Sequence, residues 1–156
     1  MMTLIKPLNS DLYTPRYYIV AESDTLSESK AKAQDSKAIV YRLPRAREVG
    51  QSWTKVPWNM ICALMVSIRI ILKTMPDLIL CNGPGSCIPI CMAAYLVRIL
   101  GIRKQRIEII YIESFARVTS LSLTGKLLYF FVDRFIVQWN ELIKKYPKAE
   151  YHGILV

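Results

Sequence analysis

The chain has 156 residues, 53% of them apolar, and 21 Lys and Arg against 12 Asp and Glu, for a formal net charge of +9. That length makes one domain with a full core, and apolar and basic character together point to an anionic membrane surface or lipid head group. Nucleic acid competes as a partner for a basic chain, but the bases are scattered and no RNA or DNA motif is present. Cys62, Cys81, Cys87 and Cys91 show no CxxC spacing and lie far from the single histidine, His152. This excludes a conventional zinc motif and suits buried free thiols in a reducing compartment.

Met1 to Leu8 is too short for a secretory signal and is broken by Lys6 and Pro7. Residues 17–22 read as a strand and 23–36 as a polar helix capped by Ser23 or Asp24. A second strand, 39–43, ends at Pro44, and a loop over 45–53 carries Arg45 and Arg47. That loop is either a solvated connection or an anion-facing element. Residues 57–75 form the most apolar helix, with Trp58, Ile61, Met65, Ile68 and Leu72 on one stripe. Arg69 and the following Pro76 argue against a membrane-crossing span. The helix is either a core element or one lying in the membrane plane at Trp58, with Arg69 and Lys73 facing phosphates.

Residues 78–81 are a short apolar run suited to a strand buried on both faces. Asn82-Gly83-Pro84-Gly85 must turn the chain, and Ser86 is expected to cap a helix over 87–100 with Pro89 in its donor-free first turn. Gly101 ends that helix and a strand follows at 107–112, completing a βαβ unit whose glycine turn can receive an anion such as a phosphate. Glu113 and Ser114, with Arg117 nearby, stand at a strand's C-terminal end, where parallel sheets face their ligand crevice. A helix at 120–132, a strand at 134–139, a helix at 140–145 and a strand at 151–156 complete an α/β chain with a mostly parallel, Rossmann-like sheet. GxSxG, a Walker loop and paired carboxylates at helical spacing are all absent, so the residues by themselves name no reaction.

Several motifs go further. Leu78-Ile79-Leu80-Cys81-Asn82-Gly83-Pro84-Gly85, Ile110-Tyr111-Ile112-Glu113-Ser114 with Arg117, and Phe135-Ile136-Val137-Gln138-Trp139 resemble the membrane-anchor subunit family of an endoplasmic-reticulum N-acetylglucosaminyltransferase. Arg42-Leu43-Pro44-Arg45-Ala46-Arg47-Glu48-Val49 and the closing Tyr151-His152-Gly153-Ile154-Leu155-Val156 fit the same family, over roughly residues 15–156. The resemblance implies the N-terminal, acceptor-side half of a GT-B glycosyltransferase, with a separate catalytic subunit supplying the UDP-GlcNAc side. It implies an acceptor, GlcNAc-diphosphodolichol, that receives the second GlcNAc of asparagine-linked glycosylation at the cytosolic face of the endoplasmic-reticulum membrane. No cofactor and no metal are implied. The alternatives are a stand-alone nucleotide-binding α/β enzyme, disfavoured by the missing GxGxxG, and a basic nucleic-acid module, which would bind with a steep salt dependence.

Three expectations follow from the resemblance. Residues 1–15 stand as an atypical leader where the family has a spanning helix, a central strand and a glycine-rich loop. The strands at 17–22 and 78–81 should therefore flank a gap or pair directly, with residues 1–10 a poor substitute because of Pro7. Asn82, Gly83, Pro84, Gly85, Ser86, Glu113, Ser114 and Arg117 should line one acceptor crevice, with Glu113 positioning a sugar hydroxyl. Gly153, Ile154, Leu155 and Val156 should form an apolar edge strand that docks the catalytic subunit.

Overall fold

The computed structural model describes residues 13–22, 24–35, 39–44, 56–83, 85–102 and 106–154. The first strand, β1 (Tyr17–Ala21), leads through helix α1 (Thr25–Gln34) to β2 (Ile39–Leu43), and the two strands pair in parallel with Tyr17 opposite Ile39. Asp24 caps α1, its carboxylate accepting from the Ser27 N–H at 3.0 Å and the Ser27 hydroxyl at 2.7 Å. Both candidate caps were polar, and the one with two acceptor oxygens is the one used.

Helix α2 (Val56–Thr74) crosses to the second sheet, built from β3 (Leu78–Asn82), α3 (Cys87–Ile99), β4 (Glu108–Ile112), α4 (Leu123–Leu128), β5 (Arg134–Val137), α5 (Glu141–Lys145) and β6 (Ala149–Tyr151). Its strands run in the order β3-β4-β5-β6, all parallel. Ile79 and Cys81, Ile109 and Tyr111, and Phe135 and Val137 turn inward from successive strands into one core. On the other face Ile112 and Ile136 are also buried, as expected of a parallel sheet covered on both sides.

The strands at 17–21 and 78–82 do not pair directly. Among the described residues they belong to separate ladders, β1-β2 and β3-β4-β5-β6. They are joined by side chains instead: Leu80 packs on Tyr18 and Ala31, while Ile19 and Leu43 reach the main core. The expectations for residues 1–10 and for Arg45 and Arg47 fall outside the described residues.

Three boundaries depart from the sequence reading. The helix expected over 120–132 shrinks to Leu123–Leu128, because Ser122 caps it late, accepting from the Gly125 N–H at 2.9 Å. Ser86 stands at the start of α3, but its backbone is already helical (φ −64°, ψ −16°) and its side chain makes no capping bond. The last strand is Ala149–Tyr151 rather than 151–156. Gly153, at φ +84°, turns the chain off the ladder, so Gly153 and Ile154 are not part of an edge strand. Leu155 and Val156 lie outside the described residues.

Helix α2 packs on α3 and buries Ala63, Ser67, Ile70 and Ile71, while α3 buries Ile90, Cys91, Ala93, Ala94 and Val97. The larger stripe faces out: Trp58 is 69% exposed, and Ile61, Met65 and Leu72 are exposed with it. Ile68 alone of that stripe packs against the core. Cys62 is also exposed on this face, contrary to the reading of all four thiols as buried, whereas Cys81 and Cys91 are buried with their sulfurs 3.5 Å apart.

At the N-terminal end of the second sheet, Asp133 gathers Arg98 at 2.9 Å, the Ile109 N–H at 3.0 Å, and Arg106. Burial opposes its ionisation, but these donors together hold the Asp133 carboxyl below the usual carboxylate range. The cluster ties α3, β4 and the α4–β5 connection into one frame.

Candidate functional site

The C-terminal edge of the second sheet carries the sequence-predicted acceptor residues. Asn82 pairs with Ile112 in register, so the glycine turn and Glu113-Ser114 leave adjacent strands side by side. Gly83 sits at φ +75°, a conformation that favours glycine. A Cβ there would stand 3.9 Å from the Ser114 Cβ, and one on Gly85 would stand 3.9 Å from the Thr124 hydroxyl oxygen. The turn is thereby wedged against the 114–122 loop and α4. Pro84 lies outside the described residues.

Glu113 is fully buried. One carboxylate oxygen accepts from the Ser114 N–H at 2.8 Å; the other accepts from the Ser122 N–H and hydroxyl, both at 3.0 Å. A charge can be taken from water only when donors replace its hydration, and the loop supplies three of them. Glu113 thus faces inward and organises the loop that carries Ser114 and Arg117. Tyr111 adds a weak contact to the Ser122 hydroxyl at 3.4 Å, and burial pushes its phenol well above the usual range.

Five residues to which the sequence reading gave no site role complete the frame. Gly125 leaves no room for a side chain, since a Cβ would fall 2.2 Å from the Glu113 carboxylate. A glycine inside a helical pattern costs about 1 kcal/mol against alanine, and that cost was the available signal of a packing need. Ser122 supplies the cap and two of the carboxylate donors. Gln138, buried at the end of β5, donates from its amide nitrogen to the Glu113 carbonyl at 3.0 Å, while its amide oxygen finds no partner among the described residues. The Trp139 indole N–H donates to the Phe115 carbonyl at 2.7 Å, and the Lys145 ammonium to the Thr119 carbonyl at 3.0 Å.

What results is a stiff loop beside a glycine turn, with Arg117 exposed and free of any ion pair among the described residues. Ser86 spends no side-chain bond on the helix cap. Among the described residues no three His, Cys, Asp or Glu side chains converge as metal ligands would. The nearest thiol, Cys87, is raised far above the ordinary range by its bond to Cys81 and by burial, so it is a poor nucleophile.

The family described as "Oligosaccharide biosynthesis protein Alg14 like" matches residues 1–155. The chain belongs to the Alg14 family. The Alg14-family chain is 45% identical over 163 residues to the "UDP-N-acetylglucosamine transferase subunit alg14" of Schizosaccharomyces pombe, covering 99% of this chain and 76% of that protein. It is 42% identical over 159 residues to the Homo sapiens subunit of the same name, covering 94% of this chain and 73% of that one. In structure it resembles MurG of Acinetobacter baumannii, with a TM-score of 0.67 at 13% identity over 97% of this chain and 40% of MurG. The Alg14-family chain therefore spans two-fifths of MurG, and the likeness is one of fold: the parallel α/β class expected from the sequence is the observed one.

Proposed function

We propose that this Alg14-family chain is the acceptor-side subunit of a UDP-N-acetylglucosamine transferase, which binds a GlcNAc-diphosphodolichol acceptor while a separate catalytic subunit holds UDP-GlcNAc. The observation that carries this reading is the meeting of the Gly83 turn, Ser114 and the unpaired Arg117 at one sheet edge. Backbone donors and a guanidinium together suit a diphosphate. Asn82, Gly85 and Ser86 line the same turn. Glu113 serves the site through the loop, by fixing Ser114 and Ser122. In the transfer, an acceptor sugar hydroxyl attacks the anomeric carbon of the donor sugar and UDP departs. This chain's part is to hold the acceptor diphosphate still, which lowers the entropic share of the barrier.

The test is the acceptor dependence of the two-subunit complex. Arg117→Ala is expected to raise the acceptor KM about tenfold, the scale of one charge-assisted contact, with the KM for UDP-GlcNAc unchanged. An unchanged acceptor KM would remove Arg117 from the site.

The outward face of α2 gives the complex a place on the membrane. Among the described residues one segment, Pro57–Thr74, is long and apolar enough to span a bilayer, and 22% of it is buried in the fold. Because its inner face is spent on α3, it lies along the surface, with Trp58 in the interface and Arg69 and Lys73 toward lipid phosphates. The Lys73 ammonium stands 5.8 Å over the Tyr41 ring of β2, a cation–π contact. The membrane is the cytosolic face of the endoplasmic reticulum. On vesicles containing phosphatidylserine, replacing Trp58 and Met65 by serine should weaken co-sedimentation at least about tenfold, since each buried apolar side chain is worth about 1.5–3 kcal/mol. Equal binding of variant and parent would rule this face out.

A further inference from the structure

The 114–122 loop is exposed over most of its length and yet is held at many points. Its first turn closes where the Arg117 N–H donates to the Ser114 carbonyl at 3.0 Å. Glu113 ties both ends, while Trp139 and Lys145 grip the carbonyls of Phe115 and Thr119 from the β5–α5 side. What these clamps present to solvent is an aromatic plate: Phe115 is 45% exposed, with its ring 5.1 Å from that of Trp139 and inclined by 41°.

An aromatic ring held in water by polar clamps is pre-ordered for a ligand with an apolar face. Its neighbours narrow the choice. Arg117 is two residues away without an ion pair among the described residues, and Ser114, adjacent in sequence, follows the strand end that pairs beside the Gly83 turn, Asn82 opposite Ile112. A plate beside a cation and backbone donors matches a pyranose ring carrying a phosphate, whose C–H face stacks while its anion meets the guanidinium.

We propose that Phe115 and Trp139 form a subsite for the sugar ring of a glycosyl phosphate. The inference rests on the acceptor-side reading above and adds a second point of contact, to the sugar itself. Phe115 supplies the surface. Trp139 sets its position through the indole N–H and backs its ring.

The test uses the full chain in complex with its catalytic subunit. Two probes are titrated: a GlcNAc diphosphate carrying a short isoprenyl chain, and inorganic pyrophosphate. Phe115→Ala is expected to weaken the sugar probe about tenfold and to leave pyrophosphate binding and subunit co-purification unchanged. Phe115→Tyr, which keeps the ring, is expected to bind both probes like the parent. Normal binding of the sugar probe by Phe115→Ala overturns the subsite alone. Weakening of both probes to the same degree overturns it too, since the residue then only supports the loop. Loss of the catalytic subunit from Phe115→Ala would make the plate a partner contact and overturn it likewise. A parent complex that binds neither probe overturns the acceptor-side reading, and the subsite falls with it.

Discussion

Gly125→Ala is expected to be among the most damaging single-methyl additions in this protein. The new Cβ would lie 2.2 Å from the Glu113 carboxylate oxygen, well inside any real contact. The carboxylate is the far end of a side chain, but it cannot swing away freely. It is fully buried, and that oxygen is held by both the Ser122 N–H and the Ser122 hydroxyl. Displacing it breaks charge-assisted bonds inside the core, a loss of about 3 kcal/mol. For a domain of this size that lowers the midpoint of thermal unfolding by roughly 6–12 °C. Acceptor binding should fail with it, because Ser114 and Arg117 ride on the loop that the carboxylate holds. Glu113→Asp withdraws the carboxylate by one methylene, so adding it to Gly125→Ala should recover part of the loss. A double-mutant cycle measures this directly. Strict additivity of the two changes would show that the contact is not the cause.

Removal of Ile154, Leu155 and Val156 is expected to separate the two subunits. Ile154 is 56% exposed, past the point where Gly153 turns the chain off the sheet. An apolar side chain exposed as Ile154 is can be buried against a partner, with about 1.5–3 kcal/mol before ordering costs. The docking is therefore proposed to run through Ile154 and the apolar residues after it in sequence. The deletion leaves β6 and the buried Ala149 in place, so the truncated chain should keep its own unfolding midpoint. Co-expressed with its partner, it should leave the catalytic subunit in the soluble fraction. Undiminished co-purification after the deletion would assign the docking surface elsewhere.

Much of this architecture was legible in residue order. Short apolar runs marked β3, β4 and β5 of the second sheet, since a strand covered on both faces is largely apolar. Residues 39–43 were read with their observed bounds, and the glycine turn after residue 82 could be placed because only a few residue types tolerate it. The alignment of that turn with Glu113-Ser114 followed from parallel pairing, which brings the C-terminal ends of neighbouring strands to one edge. The last strand was misplaced because Ile154 to Val156 look more strand-like than Ala149-Glu150-Tyr151. Pairing, however, was decided by ladder register with Phe135 to Val137.

Local pattern by itself determined the fold class, the glycine turn and the set of residues at the sheet's C-terminal edge, because these depend on backbone freedom and on apolar periodicity. Only the tertiary structure decided which way side chains face. It turned most of the large stripe of α2 outward, leaving Trp58, Ile61, Met65 and Leu72 exposed while Ala63, Ser67, Ile70 and Ile71 are buried. It turned Glu113 inward, where a carboxylate survives only because Ser114 and Ser122, eight residues apart, bring their donors to it and Gly125 leaves it space. It also set Phe115 against Trp139 across 24 residues of chain. Periodicity carries no information about such long-range pairs, whose geometry is fixed by how β4 and β5 lie together in the sheet.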